Sequence, residues 1–259
     1  MLEGKKIVVI MPAYNAAKTL RQTVTELPNI VDQIIVVDDH SLDNTRKVAK
    51  SLGVQYIRHN KNKGYGGNQK TCYLTALKRG ADVVIMVHPD YQYSPRLVTA
   101  MCAMLLSGHY DIVLASRIIG DQTTRIRSMP LWRYGANRFL TLVQNVLLNY
   151  KLSEYHTGYR GFTRKALKEI DFENNSDDFI FDNEILAQAI YQGLRIGEIS
   201  CPTSYHNEAS SINFSRACKY GIGVLIVVVT FRLNRLGLLK SRLFKHNSQH
   251  ATSMKRAGK

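Results

Sequence analysis

Short apolar runs alternate with amphipathic stretches through the first half of the chain. Five runs rich in β-branched residues, at 6–11, 33–38, 55–58, 83–87 and 111–115, are predicted to be strands, and the stretches between them at 17–27, 43–52, 68–79 and 95–106 carry apolar residues at helical spacing. This alternation specifies an α/β fold with a mostly parallel central sheet. Ser41 or Asp43 is placed to cap the second helix. Polar residues gather where the runs stop, at Pro12-Ala13-Tyr14-Asn15, Asp38-Asp39 and His88-Pro89-Asp90. Ligands of open parallel sheets bind beyond the carboxyl ends of the strands, so these three clusters are expected to converge on one site.

After Ser116-Arg117 the pattern changes. Residues 139–150 are amphipathic, with Phe139, Leu140, Val143, Val146 and Leu147 on one face. A polar stretch follows that holds Thr157-Gly158-Tyr159-Arg160 and then Phe181-Asp182-Asn183-Glu184. The longest strongly apolar stretch, 221–231, lies between Lys219 and Arg232 and falls short of the ~20 residues of a spanning helix. With Arg232, Arg235, Lys240, Arg242 and Lys245 behind it, it has the pattern of a helix lying in an anionic membrane interface. From 240 onward the chain is basic and aperiodic, which predicts a disordered tail. The expected organisation is a single domain over 1–215, an interfacial helix over 216–239 and the tail over 240–259.

A chain of 259 residues with 45% hydrophobic residues can bury one full core. Its formal net charge of +15 calls for an anionic partner: nucleic acid, acidic lipid or a phosphorylated substrate. No nucleic-acid module and no basic stripe interleaved with aromatic residues is present, so nucleic acid is set aside. Cys72, Cys102, Cys201 and Cys218 form no C-x-x-C pair, which excludes a zinc ribbon and suits a reducing compartment. The apolar run after Lys5 and Lys6 is too short for a signal-peptide core, and a cytoplasmic location is expected.

Five local features offer chemistry. The Asp38-Asp39 pair at a strand end can accept a hydrogen bond from a base or ribose, although an Asp pair there is also turn chemistry. The glycine-rich segment Asn62-Lys63-Gly64-Tyr65-Gly66-Gly67-Asn68 opens a helix, where backbone amides and Lys63 can meet phosphates, or it is simply a loop. Asp90, Gln92 and His88 can reach one divalent cation, with a polar helix entry as the competing account. Arg117 and Arg160 are cations suited to phosphate oxygens, and Asp182 and Glu184 either cap a helix or serve as a base.

Taken in order, these segments resemble the family 2 glycosyltransferases, and among them the polyprenyl-phosphate branch that includes dolichol-phosphate-mannose-synthase-like enzymes. Ile10 to Asn15 is similar to the family's P-x-Y-N segment, Val37 to Thr45 to its V-D-D-x-S-x-D-x-T segment and Asn62 to Asn68 to its N-x-G-x-G loop. Asp90 and Gln92 match the end of a D-x-D-x-Q metal segment, Ser116-Arg117 the S-R that follows, and Thr157 to Arg160 the [ST]-G-[FY]-R segment near the acceptor phosphate. The resemblance implies a GT-A-type, Rossmann-like domain. It places the nucleotide sugar on Pro12, Ala13, Tyr14, Asn15, Val37, Asp39, Lys63, Gly64, Asn68 and Asp90, and Mn or Mg on Asp90, Gln92 and His88. Asp90, Arg117, Arg160, Asp182 and Glu184 are the catalytic candidates, and the sugar passes with inversion to a polyprenyl phosphate at the cytosolic face of a membrane. A saccharide hydroxyl is the alternative acceptor, with Asp182 as base, and a non-catalytic nucleotide-sugar-binding protein is the rival of another class. The chain departs from the pattern at His88, where the family has Asp, at Ala16, where many members have Glu, and at Ser204 and Tyr205, where lipid-phosphate members tend to carry Arg.

Overall fold

The computed structural model describes residues 2–120, 131–202 and 214–245; Ser204 and Tyr205 lie outside them. The apolar runs form β1 (Ile7–Ala13), β2 (Gln33–Asp38), β3 (Gln55–Arg58), β4 (Val83–Met86) and β5 (Ile112–Ser116). Helices α1 (Leu20–Thr25), α2 (Thr45–Ser51), α3 (Tyr65–Lys78) and α4 (Val98–Leu106) connect them. Two further strands, β6 (Arg160–Thr163) and β7 (Ile196–Ser200), complete a seven-stranded sheet of order β3-β2-β1-β4-β6-β5-β7. All pairings are parallel except those of β6, which runs antiparallel to both β4 and β5. The central strands are buried on both faces, which is why β1 reads as an unbroken apolar run and not as an alternation.

Helices α5 (Leu131–Leu148), α6 (Arg164–Glu169), α7 (Phe181–Tyr191) and α8 (Phe214–Arg235) belong to the second half. One apolar cluster joins α3, α7 and α8 to one face of the sheet, through Tyr73, Phe162, Phe181 and Phe231. A second lies on the other face between α4 and the strands.

The structure corrects three expectations. The apolar run 221–231 is the middle of a longer helix, α8, whose segment Arg216–Arg235 is long and apolar enough by length and composition to cross a membrane. Here it packs on the domain through Val224, Val227, Val228 and Phe231, all buried. Residues 240–245 are not tail: Phe244 is buried against Tyr191 and Phe231, and Gln188 Nε2 donates to the Leu243 carbonyl (3.1 Å). Finally, Ser41 does not cap α2. Its hydroxyl accepts the N–H of Asn15 (2.8 Å), while Asp43 Oδ1 accepts the Thr45 N–H (2.9 Å).

Candidate active site

Parallel pairing of β2, β1 and β4 puts their carboxyl ends side by side, and the Ala13–Asp38 register aligns the first two clusters. The Asp39 N–H donates to the Ala13 carbonyl (2.9 Å), and the Thr19 hydroxyl reaches back to the Pro89 carbonyl (2.5 Å). The three polar clusters therefore share one edge, as expected. Each of the three turns carries a non-glycine residue in the left-handed region: Asn15 (φ 51°), His40 (φ 67°) and Tyr91 (φ 57°). Asn and His tolerate that conformation, so Tyr91 is the strained one of the three, a bulky side chain held in the left-handed region at the turn beyond β4.

The donor-side residues divide by burial. Tyr14 is 53% exposed and Leu42 is 80% exposed, and the Asn15 carboxamide, which accepts the Leu42 N–H (2.9 Å), joins the loops that carry them. Pro12, Ala13 and Val37 are buried within their strands and Asn68 is almost so, which removes direct ligand contact by their side chains. They form the floor instead. Asn68 Nδ2 donates to the Val37 carbonyl (3.1 Å), while its Oδ1 is buried without a protein partner among the described residues.

The glycine-rich segment is no phosphate cradle. Asp39 Oδ1 accepts the Lys63 N–H (2.8 Å) and pairs with His59 Nδ1 (2.7 Å), and its Oδ2 accepts the Gly64 N–H (3.0 Å). The amides of Gly66 and Gly67 donate to the Asp177 carbonyl (2.8 and 3.4 Å). The N-terminus of α3 is thus closed by protein groups. Glycine is needed here because a Cβ at position 66 would lie 2.3 Å from the Ser176 carbonyl oxygen. Glu184 holds the same clamp, since its Oε2 accepts the Ser176 N–H (2.6 Å); burial raises its pKa. Neither Asp39 nor Glu184 therefore presents an unengaged carboxylate.

Both arginines are committed as well. Arg117 Nε donates to Glu154 Oε1 (2.9 Å), its backbone N–H to Oε2 (3.0 Å) and Nη2 to the His156 carbonyl (3.2 Å). Burial pushes the Glu154 carboxyl up, but the Arg117 charge and hydrogen bonds outweigh it and hold it below the usual carboxylate range. Arg160 is fully buried. Its guanidinium donates to the carbonyls of Thr157 (2.7 Å), Asp182 (2.7 Å) and Tyr155 (3.0 Å) and pairs with Asp182 Oδ1 at 3.4 Å. The expectation that Arg160 clamps an acceptor phosphate fails for that reason: each of its nitrogens already has a partner.

His88 is the departure with the most structure around it. Its ring stacks on Tyr65 (centroids 5.6 Å apart), and Nε2 lies 3.2 Å from the Tyr65 hydroxyl. The same hydroxyl donates to Asp182 Oδ2 (2.8 Å), while Gln69 Nε2 donates to Asp182 Oδ1 (3.1 Å). A phenol has one proton and an ionised carboxylate can only accept, so Tyr65 gives its proton to Asp182 and must accept from His88. His88 therefore carries a proton on Nε2, which leaves Nδ1 as the ring position able to hold a ligand. Gly158 makes room for the ring: a Cβ there would lie 2.7 Å from Nε2. Sequence reading gave Tyr65, Glu154, His59 and Asp177 no role. Only Tyr65 stood inside a quoted motif, where the glycines around it read as a loop and gave its side chain no separate signal.

Asp90 sits half-buried at the edge beyond β4, where its Oδ1 accepts the Gln92 N–H (3.1 Å). No group of three or more His, Cys, Asp or Glu residues able to hold a metal is found among the described residues. One carboxylate beside a donor site fits an ion that shares its coordination with a diphosphate, the usual manner of Mg and Mn.

The family described as Glycosyl transferase family 2 matches residues 8–171. The UDP-N-acetylglucosamine–dolichyl-phosphate N-acetylglucosaminyltransferase of Methanococcus voltae is 30% identical over 79% of this chain and 88% of its own length. The undecaprenyl-phosphate mannosyltransferase of Micrococcus luteus is 24% identical over 75% of this chain and 82% of its own. Among solved structures, glucosyl-3-phosphoglycerate synthase from Mycobacterium tuberculosis in complex with UDP superposes with a TM-score of 0.67, at 18% identity, over 92% of this chain and 82% of that one. The same enzyme has also been solved with Mn2+, UDP and glucosyl-3-phosphoglycerate, at a TM-score of 0.64.

Proposed function

The chain belongs to glycosyl transferase family 2 and is a glycosyltransferase; we propose that it moves a sugar, with inversion, from a nucleotide-diphosphate sugar to a polyprenyl phosphate at the cytosolic face of a membrane. The observation that carries the acceptor class is the likeness to dolichyl-phosphate and undecaprenyl-phosphate transferases over three quarters or more of the chain. The surface supports it. Phe139, Leu142 and Val146 on α5 and Ile222, Ile226 and Val229 on α8 are all large apolar side chains between 46% and 66% exposed, on two helices packed against each other. Such a ridge suits the headgroup boundary where a lipid acceptor presents its phosphate. Tyr220 connects it to the site, through His156 Nδ1 (2.8 Å) and the Asn183 side-chain amide.

Tyr14, exposed at the end of β1, offers its ring to the base. Asp90, with Gln92 and His88 Nδ1, would hold the divalent ion. When bound, that ion draws charge from the departing diphosphate. An acceptor phosphate oxygen attacks the anomeric carbon, the bond from that carbon to the diphosphate oxygen breaks, and the nucleoside diphosphate leaves. A phosphate is already anionic near neutral pH, so no base is needed to take a proton. This agrees with Asp182, whose two oxygens are occupied by Tyr65, Gln69 and Arg160 and are unsuited to activating a saccharide hydroxyl.

An imidazole ligand favours Mn over Mg. The test is transfer after chelation and metal add-back: we expect Mn to restore more activity than Mg and Asp90→Asn to lose roughly 10²–10³-fold. Undiminished activity in chelated protein contradicts the metal assignment.

A further inference from the structure

The helices that carry the apolar ridge end at a cleft of about 290 Å3 on the far side of the domain from Tyr14, lined among others by Leu148, Leu194 and Phe231 and by Arg195, Arg232 and Arg235. Its chemistry is split. Three guanidinium-bearing side chains share it with apolar ones, and no carboxylate among the described residues lines it. Arg195 is already paired with Asp111 (Nε to Oδ2, 3.0 Å). Arg232 and Arg235 are exposed and have no ion-pair partner among the described residues. Two unneutralised arginines one helical turn apart repel each other, and an anion between them relieves that repulsion. The volume is at the small end of ligand pockets, which run from about 300 Å3 upward.

Position selects the kind of anion. Ile222, Ile226 and Val229 form one exposed stripe along α8, and Arg232 falls one turn beyond Val229 on that stripe. Leu236, also 60% exposed, lies one further turn on. A soluble metabolite would gain nothing from apolar residues on both sides of the arginine. An amphiphile whose phosphate meets Arg232 and Arg235 while its acyl chains lie along the stripe uses both.

We propose that this cleft is a docking site for the phosphate headgroup of an anionic phospholipid, separate from the catalytic edge and serving to fix α8 on the bilayer. The proposal rests on the reading of the ridge as a membrane surface. It differs from a diffuse electrostatic attraction because it names two arginines among many basic residues: Lys240, Arg242 and Lys245 follow close behind and are exposed.

The experiment uses the full chain with three probes: vesicles of neutral phosphatidylcholine, the same vesicles with one fifth phosphatidic acid, and a short-chain phosphatidic acid kept monomeric in solution, titrated calorimetrically beside inorganic phosphate. The variants are Arg232→Gln with Arg235→Gln, and Lys240→Gln with Arg242→Gln as a control of equal charge change. A basic side chain near an anionic surface contributes about a fivefold gain, so the first pair is expected to lose roughly 30-fold on acidic vesicles. The control pair, which does not line the cleft, should lose less than the first pair, and binding to neutral vesicles should stay unchanged in both. The short-chain phosphatidic acid should bind the wild type more tightly than inorganic phosphate does, and bind the first pair weakly. Equal losses for the two pairs, or equal binding of phosphate and phosphatidic acid, overturn the proposal in favour of diffuse charge or a free-phosphate site. Transfer to a water-soluble short-prenyl phosphate separates this from the functional reading. It should be unchanged in the Arg232→Gln, Arg235→Gln protein, and absence of transfer in the wild type would sink the acceptor assignment without touching the cleft.

Discussion

Arg160 shows how far a motif residue can differ from its expected task. Its guanidinium is buried on three carbonyls and one carboxylate, so removing it leaves Asp182 charged and unpaired in the interior. Arg160→Ala should therefore destabilise by about 3–5 kcal/mol in urea unfolding. Arg160→Lys should recover little, because an ammonium cannot serve the same fork of acceptors. A stable Arg160→Ala protein that had lost only transfer would return the residue to the acceptor phosphate. Gly158→Ala tests the neighbouring contact: the added methyl meets the His88 ring, and we expect a drop of roughly tenfold or more in donor turnover with a stability cost of about 1–3 kcal/mol. At this scale the sequence located the site and misjudged how its members are used. T-G-Y-R was legible as a motif, but the partners of Arg160 include a carbonyl 22 residues away, and nothing in local spacing encodes that.

Between α5 and β6 the chain carries Glu154 and His156, two groups that burial and their partners shift in pKa. Burial lowers the His156 pKa to about 4, against an ordinary value of 6.5. The unfolded chain binds the proton more readily across that interval, so stability should fall as pH drops from 6.5 toward 4. Glu154 is held below its ordinary 4.5, so its contribution is complete above that value and is lost as pH falls further, through its folded pKa. Glu154→Gln should remove Glu154's own contribution to the most acidic part of a stability profile measured by denaturant titration and, because the Glu154 charge raises the His156 pKa, extend the His156 part toward lower pH. An unchanged slope below pH 4.5 would contradict this.

The ridge makes a second prediction for elements. Ile222→Gln with Ile226→Gln should weaken binding to neutral vesicles severalfold while changing stability by no more than about 0.5 kcal/mol, because both side chains face outward. The strands and helices of the first half were legible because buried parallel strands read as apolar runs. β6 and β7 were not: each is short and holds a glycine. Gly161 and Gly197 are there because a Cβ would come within 3 Å of Ile85 and Met104 side chains respectively, packing that only the folded state reveals. The helical start at Tyr65 was hidden in the same way, since Gly66 and Gly67 read as a loop until the Ser176–Asp177 backbone that needs them is in place.

For the whole molecule, the proposed function requires the nucleotide-sugar edge, the exposed apolar side chains of α5 and α8 and the net charge of +15 to act together at an anionic membrane. Topology was readable from the alternation of elements, and it alone placed the three strand-end clusters together. The closing of the glycine loop by Asp39 and Asp177 was not readable, since a loop that binds phosphate and one that binds its own protein share a composition. The most direct measurement is mass spectrometry, with anomeric assignment by nuclear magnetic resonance, of the product formed from a panel of nucleotide sugars and vesicles containing a polyprenyl phosphate. The account expects a polyprenyl phosphate that has gained one sugar through its phosphate oxygen, of configuration opposite to the donor, and none in the Asp90→Asn protein. A sugar found on a saccharide hydroxyl, or retained configuration at the anomeric carbon, would contradict it.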